Sequence, residues 1–290
     1  MDFDNRITKQ LQSYLIMQGV ITNQTVWRNQ IGGRTNKVWR LTDNKDLICK
    51  LYLETKTNPL FENTPEAEYK CLLSLDGASI APKPYKYLKT PVGKVLLYNY
   101  IEGEIWSHDV ESVSELLRRI RNHKYPQGLR VLSCSPSDIE KTGLEIISTL
   151  NTYYKNRLIK ICPDVSIPDI KPVLLHTDVV PGNLILGDEG LRLIDWQCPA
   201  IGDPVVDIVM FLSPSMHEIY GSGKLSMEDH ELFLRGLKSD LRDRYNIIGP
   251  LYHWRLAAYC FWKAEQGFIE YEKAALAEID LLEMMYYKKN

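Results

Sequence analysis

Residues 173–195 constrain this chain more than any other stretch. Two short apolar runs, Val173-Leu174-Leu175 and Leu191-Arg192-Leu193-Ile194, bracket a polar loop. Within the loop Asp178 and Asn183 stand five residues apart, and Asp195 closes the second run. Short apolar runs bounded by turn-formers read as strands, so this segment is a strand, a polar loop, and a second strand ending on a carboxylate. Phosphoryl transfer asks for such a set of side chains. It needs a carboxylate to orient the attacking hydroxyl and take its proton, and oxygen ligands for the Mg²⁺ that neutralises a triphosphate. Asp178 suits the first task, Asn183 and Asp195 the second. Two protein ligands suffice, because Mg²⁺ keeps waters and phosphates as the others. The plainer alternative is that Asp178 and Asn183 cap the loop by accepting from backbone amides. Asp195 at the strand end favours the catalytic assignment.

Before residue 100 the chain reads mainly as strands. Residues 26–33, 35–42 and 46–53 are rich in β-branched and aromatic side chains and are separated by the turn-formers Gly32-Gly33 and Asp43-Asn44. That spacing predicts an antiparallel meander. Asn63-Thr64-Pro65-Glu66 is a helix start, with proline near the first helical position and acids in the first turn. Tyr69, Leu72, Leu73 and Leu75 continue it up to Gly77. Two further strands, 85–89 and 94–101, turn at Pro91-Val92-Gly93. After Glu102-Gly103 the period becomes helical, with Val113, Leu116, Leu117 and Ile120 in 110–122 and Ile139, Leu144, Ile147 and Leu150 in 138–158. From Val205 onward the pattern is helical again. The expected architecture is α+β in two lobes. Residues 1–101 form a small antiparallel β lobe with one helix, and residues 102–290 a larger, mainly helical lobe carrying the polar loop.

Composition removes several function classes. The chain has 35 basic and 37 acidic residues, a net charge of −2 and no Lys/Arg block, so a nucleic-acid partner is not expected. No apolar run approaches the ~18 residues of a membrane span. The opening MDFDNRITKQLQSYL carries charges where a secretory leader needs an apolar core. Six cysteines lie far apart without a CxxC pair, which predicts neither a zinc site nor a disulfide framework. A cytoplasmic location follows as the expectation.

The polar residues also occur in a known order. His176-Thr177-Asp178 through Asn183, then Ile194-Asp195-Trp196, then Gly202-Asp203-Pro204-Val205-Val206-Asp207-Ile208 resembles a pattern of the aminoglycoside phosphotransferase and choline kinase superfamily. Its members carry an H-x-D-x-x-x-x-N loop, an I-D-W or I-D-F aspartate and a G-D-P-x-x-D segment. The resemblance implies a bilobal protein-kinase-like fold and ATP and Mg²⁺ as cofactors, with Asp178 as base and Asn183 and Asp195 at the metal. Gly32-Gly33-Arg34-Thr35-Asn36 is similar to the turn near the phosphates in choline- and thiamine-kinase-like members, which places Gly33, Thr35 and Asn36 there. Glycines in such a turn let the backbone approach an anion closely. Lys50, the lone cation of Leu47-Ile48-Cys49-Lys50-Leu51, matches the lysine that holds the α/β-phosphates. Its implied helix partner is Glu68, with Glu66 the alternative. Residues 96–103 resemble the hinge that binds adenine through backbone groups, here around Asn99 and Ile101. The chain departs from the pattern at Val179-Val180, where members often have Leu-His, and at Gln197, where Glu is common. Neither change removes a base or a metal ligand. His176, Asp203 and Asp207 read as structural.

For the acceptor, residues 251–279 give a strong helical pattern that Gly267 interrupts. Trp254, Ala258, Trp262, Glu265 and Glu272 are spaced along one face. Rings with carboxylates suit a cationic alcohol, so Trp254, Trp262 and Glu265 are the acceptor candidates. The alternative is a helix packing its aromatics into the core. The expected function is transfer of the γ-phosphate of Mg-ATP to a hydroxyl of a small metabolite, an amino alcohol or vitamin such as choline or thiamine. An aminoglycoside or macrolide phosphotransferase is one alternative, for which a more acidic helical lobe is expected. A non-catalytic nucleotide-binding protein is the other, and that would lack the base, a metal ligand or the lysine.

Overall fold

A computed structural model of the chain describes residues 2–30, 35–53, 58–221 and 223–287. Of the expected site residues, Gly33 lies outside these, as do Gly32 and Arg34 beside it. Helix α1 (Asp2–Met17) is followed by strands β1 (Val26–Asn29), β2 (Lys37–Thr42) and β3 (Asp46–Leu51). Helix α2 (Pro65–Leu75) precedes β4 (Pro84–Thr90) and β5 (Gly93–Asn99). All five strands join one antiparallel sheet in the order β1-β2-β3-β5-β4. The antiparallel pairing of the meander and of the hairpin is as expected.

Helix α1 is a correction to the expectation of a single helix in this part. Its signal was present, since Ile7, Leu11 and Leu15 recur every fourth residue. Leu11 and Leu15 are buried with Trp39, Leu41, Leu47, Cys49 and Leu51 in a core of their own. Side chains alternate along a strand, so Ile48 and Lys50 of β3 turn to the opposite side. There Ile48 joins Cys71, Leu72 and Leu75 of α2 in a core that also takes in the helices of the second half.

A two-residue strand β6 (Glu104–Ile105) leads to α3 (Val110–Asn122), β7 (Arg130–Val131), α4 (Pro136–Ser148) and α5 (Lys155–Lys160). Then come β8 (Val173–Leu175), a 3₁₀ turn (Pro181–Asn183), β9 (Leu184–Gly187), β10 (Gly190–Leu193) and β11 (Ala200–Gly202). Helices α6 (Val205–Leu212), α7 (Pro214–Tyr220), α8 (Met227–Arg235), α9 (Ser239–Glu265) and α10 (Glu270–Tyr287) complete the chain. Two three-stranded sheets, β10-β9-β6 and β7-β11-β8, anchor the polar loop, which passes from one to the other. The connection after β5 lies flush on β9: a Cβ on Gly103 would stand 2.4 Å from the Leu186 carbonyl oxygen. Only glycine fits there.

Three further differences from the sequence pattern are local. The helical run 138–158 is two helices, α4 and α5, and 251–279 is the end of α9 and most of α10, parted at Gly267 with φ +99°. Strands β6, β7 and β11 are too short to leave a period. No helix among the described residues is long and apolar enough to cross a membrane.

Candidate active site

β8 delivers the chain to His176, after which Thr177 adopts φ +69°, a costly conformation for a β-branched residue. Asp207, in the first turn of α6, holds it there. Its two carboxylate oxygens accept the N–H of His176 at 3.0 Å and of Thr177 at 2.7 Å. The Thr177 hydroxyl donates to the Cys198 carbonyl at 2.7 Å. His176 is fully buried. Its Nε2 donates to the Ile194 carbonyl at 3.0 Å, and its Nδ1 accepts the Asp178 N–H at 3.2 Å. Both bonds need the same neutral tautomer, and burial holds the imidazole down to about 4. His176 thus braces the loop against the strand that ends in Asp195.

Asp178 is half-buried. Burial, and then the nearby Asp195, push its carboxyl up to about 7, with Asn183 and Lys50 opposing. Asn183 Nδ2 donates to the Asp178 carbonyl at 3.0 Å and to its Oδ2 at 3.2 Å, which leaves the amide oxygen as the ligand-type atom. Asp195 takes φ +64°, and its side chain is 28% exposed. Its Oδ1 meets Lys50 Nζ.

The face of β3 that carries Lys50 looks onto α2, and Lys50 Nζ donates to Glu68 Oε2 at 2.8 Å. The Tyr52 hydroxyl donates to the same oxygen. Burial works against the ammonium, but Asp195 and Glu68 outweigh it, so Lys50 is held above the ordinary lysine range. Burial pushes the Glu68 carboxyl up while Lys50 opposes it. Glu66 is occupied elsewhere, by the Tyr87 hydroxyl at 2.6 Å and Lys94 at 2.9 Å. Of the two glutamates, Glu68 is the one paired with Lys50.

Asn36 is buried rather than turned to solvent. Its amide donates to Asn63 at 2.9 Å and to Gln197 at 2.8 Å, and its oxygen accepts the Leu53 N–H at 3.2 Å. Gln197 thereby ties the segment after Asp195 to the N-terminal sheet. Thr35 is half-buried beside Asn36. Asn99 is exposed at the end of β5, its N–H donating to the Lys83 carbonyl at 2.9 Å, and Ile101 is buried just beyond.

Residues 28–244 match the family model of the APH phosphotransferase enzyme family, a span that holds Lys50, Glu68, Asp178, Asn183 and Asp195. The chain belongs to this family. Thiamine kinase from Escherichia coli O1:K1 / APEC is 27% identical over 154 residues, 49% of this chain and 50% of that protein. The chain thus spans about half the length of the curated relatives it matches. The structure of a choline/ethanolamine kinase family protein from Mesorhizobium loti superposes with a TM-score of 0.69 at 14% identity, covering 96% of this chain and 94% of that one. Spectinomycin phosphotransferase in complex with ADP and spectinomycin gives 0.62 at 17% identity, covering 96% and 93%. These likenesses establish the α+β, protein-kinase-like fold.

Among the residues expected at the acceptor of this phosphotransferase-family chain, Trp254 is a correction. It is fully buried, its indole N–H donates to the Leu158 carbonyl at 2.8 Å, and a Cβ on Gly143 would stand 2.2 Å from its ring. It packs the core. Trp262, half-buried, stacks on Tyr259 with ring centroids 5.7 Å apart. Tyr259 is buried, meets Phe61 edge-on at 5.0 Å and accepts from Asn58 Nδ2 at 3.0 Å. Glu265 is exposed, accepts the Asn151 N–H at 2.8 Å, and lines a surface groove with Glu272. Sequence reasoning missed Tyr259. Its available signal was its place one helical turn before Trp262.

Proposed function

We propose that this chain moves the γ-phosphoryl group of Mg-ATP to a hydroxyl of a small metabolite, an amino alcohol or vitamin such as choline or thiamine. The observation that carries this is Asp178. Its carboxyl is pushed up to about 7, hydrogen-bonded to Asn183 and adjacent to Asp195, which is the range of a working general base at neutral pH. Asp178 orients the acceptor hydroxyl and takes its proton. The Asn183 amide oxygen and the partly exposed Asp195 carboxylate are hard oxygen donors that fit Mg²⁺. When bound, Mg-ATP supplies the transferable phosphoryl group and the cation that neutralises it.

In this proposal Lys50, held by Glu68, brings a point charge to the phosphates. Thr35 and Asn36 belong to the phosphate side, Asn36 by anchoring its turn through Asn63 and Gln197. Backbone groups around Asn99 and Ile101 take the adenine, between lobes of residues 1–101 and 102–290. The row Trp262, Tyr259 and Phe61 offers ring faces to a cationic acceptor, in keeping with the chain's similarity to thiamine kinase and to choline/ethanolamine kinase family proteins.

The test is a Mg-ATP consumption screen against choline, ethanolamine, thiamine, homoserine, sugars and aminoglycosides. Turnover with a small amino alcohol or vitamin is the expected result. Turnover with aminoglycosides alone moves the acceptor to antibiotics. No acceptor-dependent turnover, together with no measurable ATP binding, rejects phosphoryl transfer.

A further inference from the structure

A cavity of about 120 Å³ lies behind the polar loop, outside the cluster of Lys50, Asp178 and Asp195. Its wall includes Phe61 of the ring row, with Arg130, Thr142, Thr177, Tyr252 and Arg255. The volume is several times what a single water needs. Two guanidinium groups on one small cavity is the first unusual feature. Arg130 spends its terminal nitrogens on backbone carbonyls, donating to Leu60 at 2.9 Å and to Cys198 at 3.2 Å, while its buried Nε has no partner. Arg255 donates to the Thr142 hydroxyl at 3.3 Å and stacks over the Tyr252 ring at 5.1 Å.

Among the described residues neither arginine forms an ion pair. The carboxylate that acts on Tyr252, Asp203, is itself held by Arg244 at 2.8 Å and 2.7 Å. Tyr252 supplies an independent sign. It is 3% exposed, lines the cavity, and its hydroxyl has no hydrogen-bond partner. A buried hydroxyl and a buried guanidinium N–H without partners are costly unless something completes them. One kind of partner, an acceptor, would complete both, and beside two guanidinium groups a negatively charged acceptor fits best.

We propose that this cavity is a binding site for a small oxyanion, a carboxylate or phosphate group, held by Arg255, Arg130 and the Tyr252 hydroxyl. Burial works against the Arg255 guanidinium, Tyr252 favours it and the charge of Arg130 opposes it; an anion between the two arginines would relieve that opposition. Because Thr177 both lines the cavity and precedes Asp178, the bound anion sits against the back of the catalytic loop.

Calorimetry with inorganic phosphate and with malonate reads this site directly, without turnover, so its outcome is separate from that of the phosphoryl-transfer proposal. Saturable binding is expected in the wild type and in Lys50→Met, which removes the buried cation of the phosphoryl-transfer cluster as an anion partner. Phosphate binding alone narrows the ligand to a phosphate ester, and malonate binding alone to a carboxylate. Arg255→Met is expected to abolish binding. With an uncompensated charge removed, it should melt in anion-free buffer no lower than the wild type. Tyr252→Phe tests the same site if the methionine variant does not fold, and should weaken binding roughly tenfold or more, as loss of a hydrogen bond to a charged group does. The proposal is overturned if neither anion binds the wild type, or if Arg255→Met or Tyr252→Phe binds them as the wild type does.

Discussion

Lys50 Nζ stands 2.8 Å from Glu68 Oε2, and both side chains are almost wholly withdrawn from solvent. The pair clamps β3 to α2 in a place where either charge alone is expensive. Removing one partner of a buried pair costs about 3–5 kcal/mol, less where the survivor neutralises itself, as a buried glutamate does by taking a proton. Lys50→Ala should therefore lower the melting temperature and weaken binding of the triphosphate, while adenosine loses less. Calorimetry with ATP and adenosine separates the two contacts. Equal losses for both ligands take Lys50 away from the phosphates.

Asp178→Asn keeps the side-chain shape and an oxygen to accept from Asn183 Nδ2, but it has no basicity. Nucleotide affinity should hold while turnover with the authentic acceptor falls ~10²–10⁴-fold, the usual worth of a general base. Near-wild-type turnover would remove Asp178 from that role.

The legible and illegible parts of this site divide on how far apart in sequence the partners lie. Asp178, Asn183 and Asp195 share one strand–loop–strand unit, so spacing alone placed them together. The choice between Glu66 and Glu68 depends on which way α2 faces β3. The resemblance favoured Glu68, and the geometry, with Glu66 engaged by Tyr87 and Lys94, agrees. The helix expected to carry the acceptor misled for a simpler reason. Trp254 and Trp262 are eight residues apart, and at 3.6 residues per turn that rotates one from the other by about 80°. One points into the core while the other reaches its edge. Helix α1 carries a four-residue apolar spacing, Ile7, Leu11 and Leu15, set among polar and charged residues. The Asn36–Gln197 bond joins residues 161 positions apart, and no local pattern announces it.

The metal assignment is tested by titration. Asp195→Ala and Asn183→Ala each delete a hard oxygen donor, so both variants should need more Mg²⁺ to reach half-maximal turnover. Asp195→Ala should shift further, because a carboxylate binds the cation more strongly than an amide. If both saturate at the wild-type Mg²⁺ concentration, neither residue holds the metal.

His176 gives a stability signature with a definite sign. Its folded value of about 4 lies below the ordinary 6.5, so between these pH values the unfolded chain binds the extra proton. The neutral side chain's contribution is present above pH 6.5 and is lost as pH falls towards 4. The full shift corresponds to roughly 3 kcal/mol. His176→Gln does not titrate, so the wild-type advantage over it should shrink on acidification through this window. Denaturant unfolding of both proteins at pH 7 and pH 4.5 measures the difference. An unchanged gap would mean that His176 is not held neutral by its burial.

The two tryptophans of α9 should respond oppositely to the same substitution. Trp254 fills the space over Gly143 and satisfies the Leu158 carbonyl, so Trp254→Leu opens a void and orphans a buried acceptor. Large-to-small core changes cost about 2 kcal/mol or more, and the melting temperature should drop with no selective change in either KM. Trp262 is half-buried and stacked on Tyr259, at one end of the row that Phe61 continues. There the ring's proposed task is contact with the acceptor, and a desolvated cation–π contact is worth about 2 kcal/mol or more. Trp262→Leu should raise the acceptor KM roughly tenfold or more, leave the ATP KM alone, and barely move the melting temperature. The comparison is informative because both variants make the same chemical change on one helix. A fall in melting temperature for Trp262→Leu as large as that for Trp254→Leu, with the acceptor KM unmoved, would make Trp262 a packing residue and leave the acceptor to Tyr259 and Phe61.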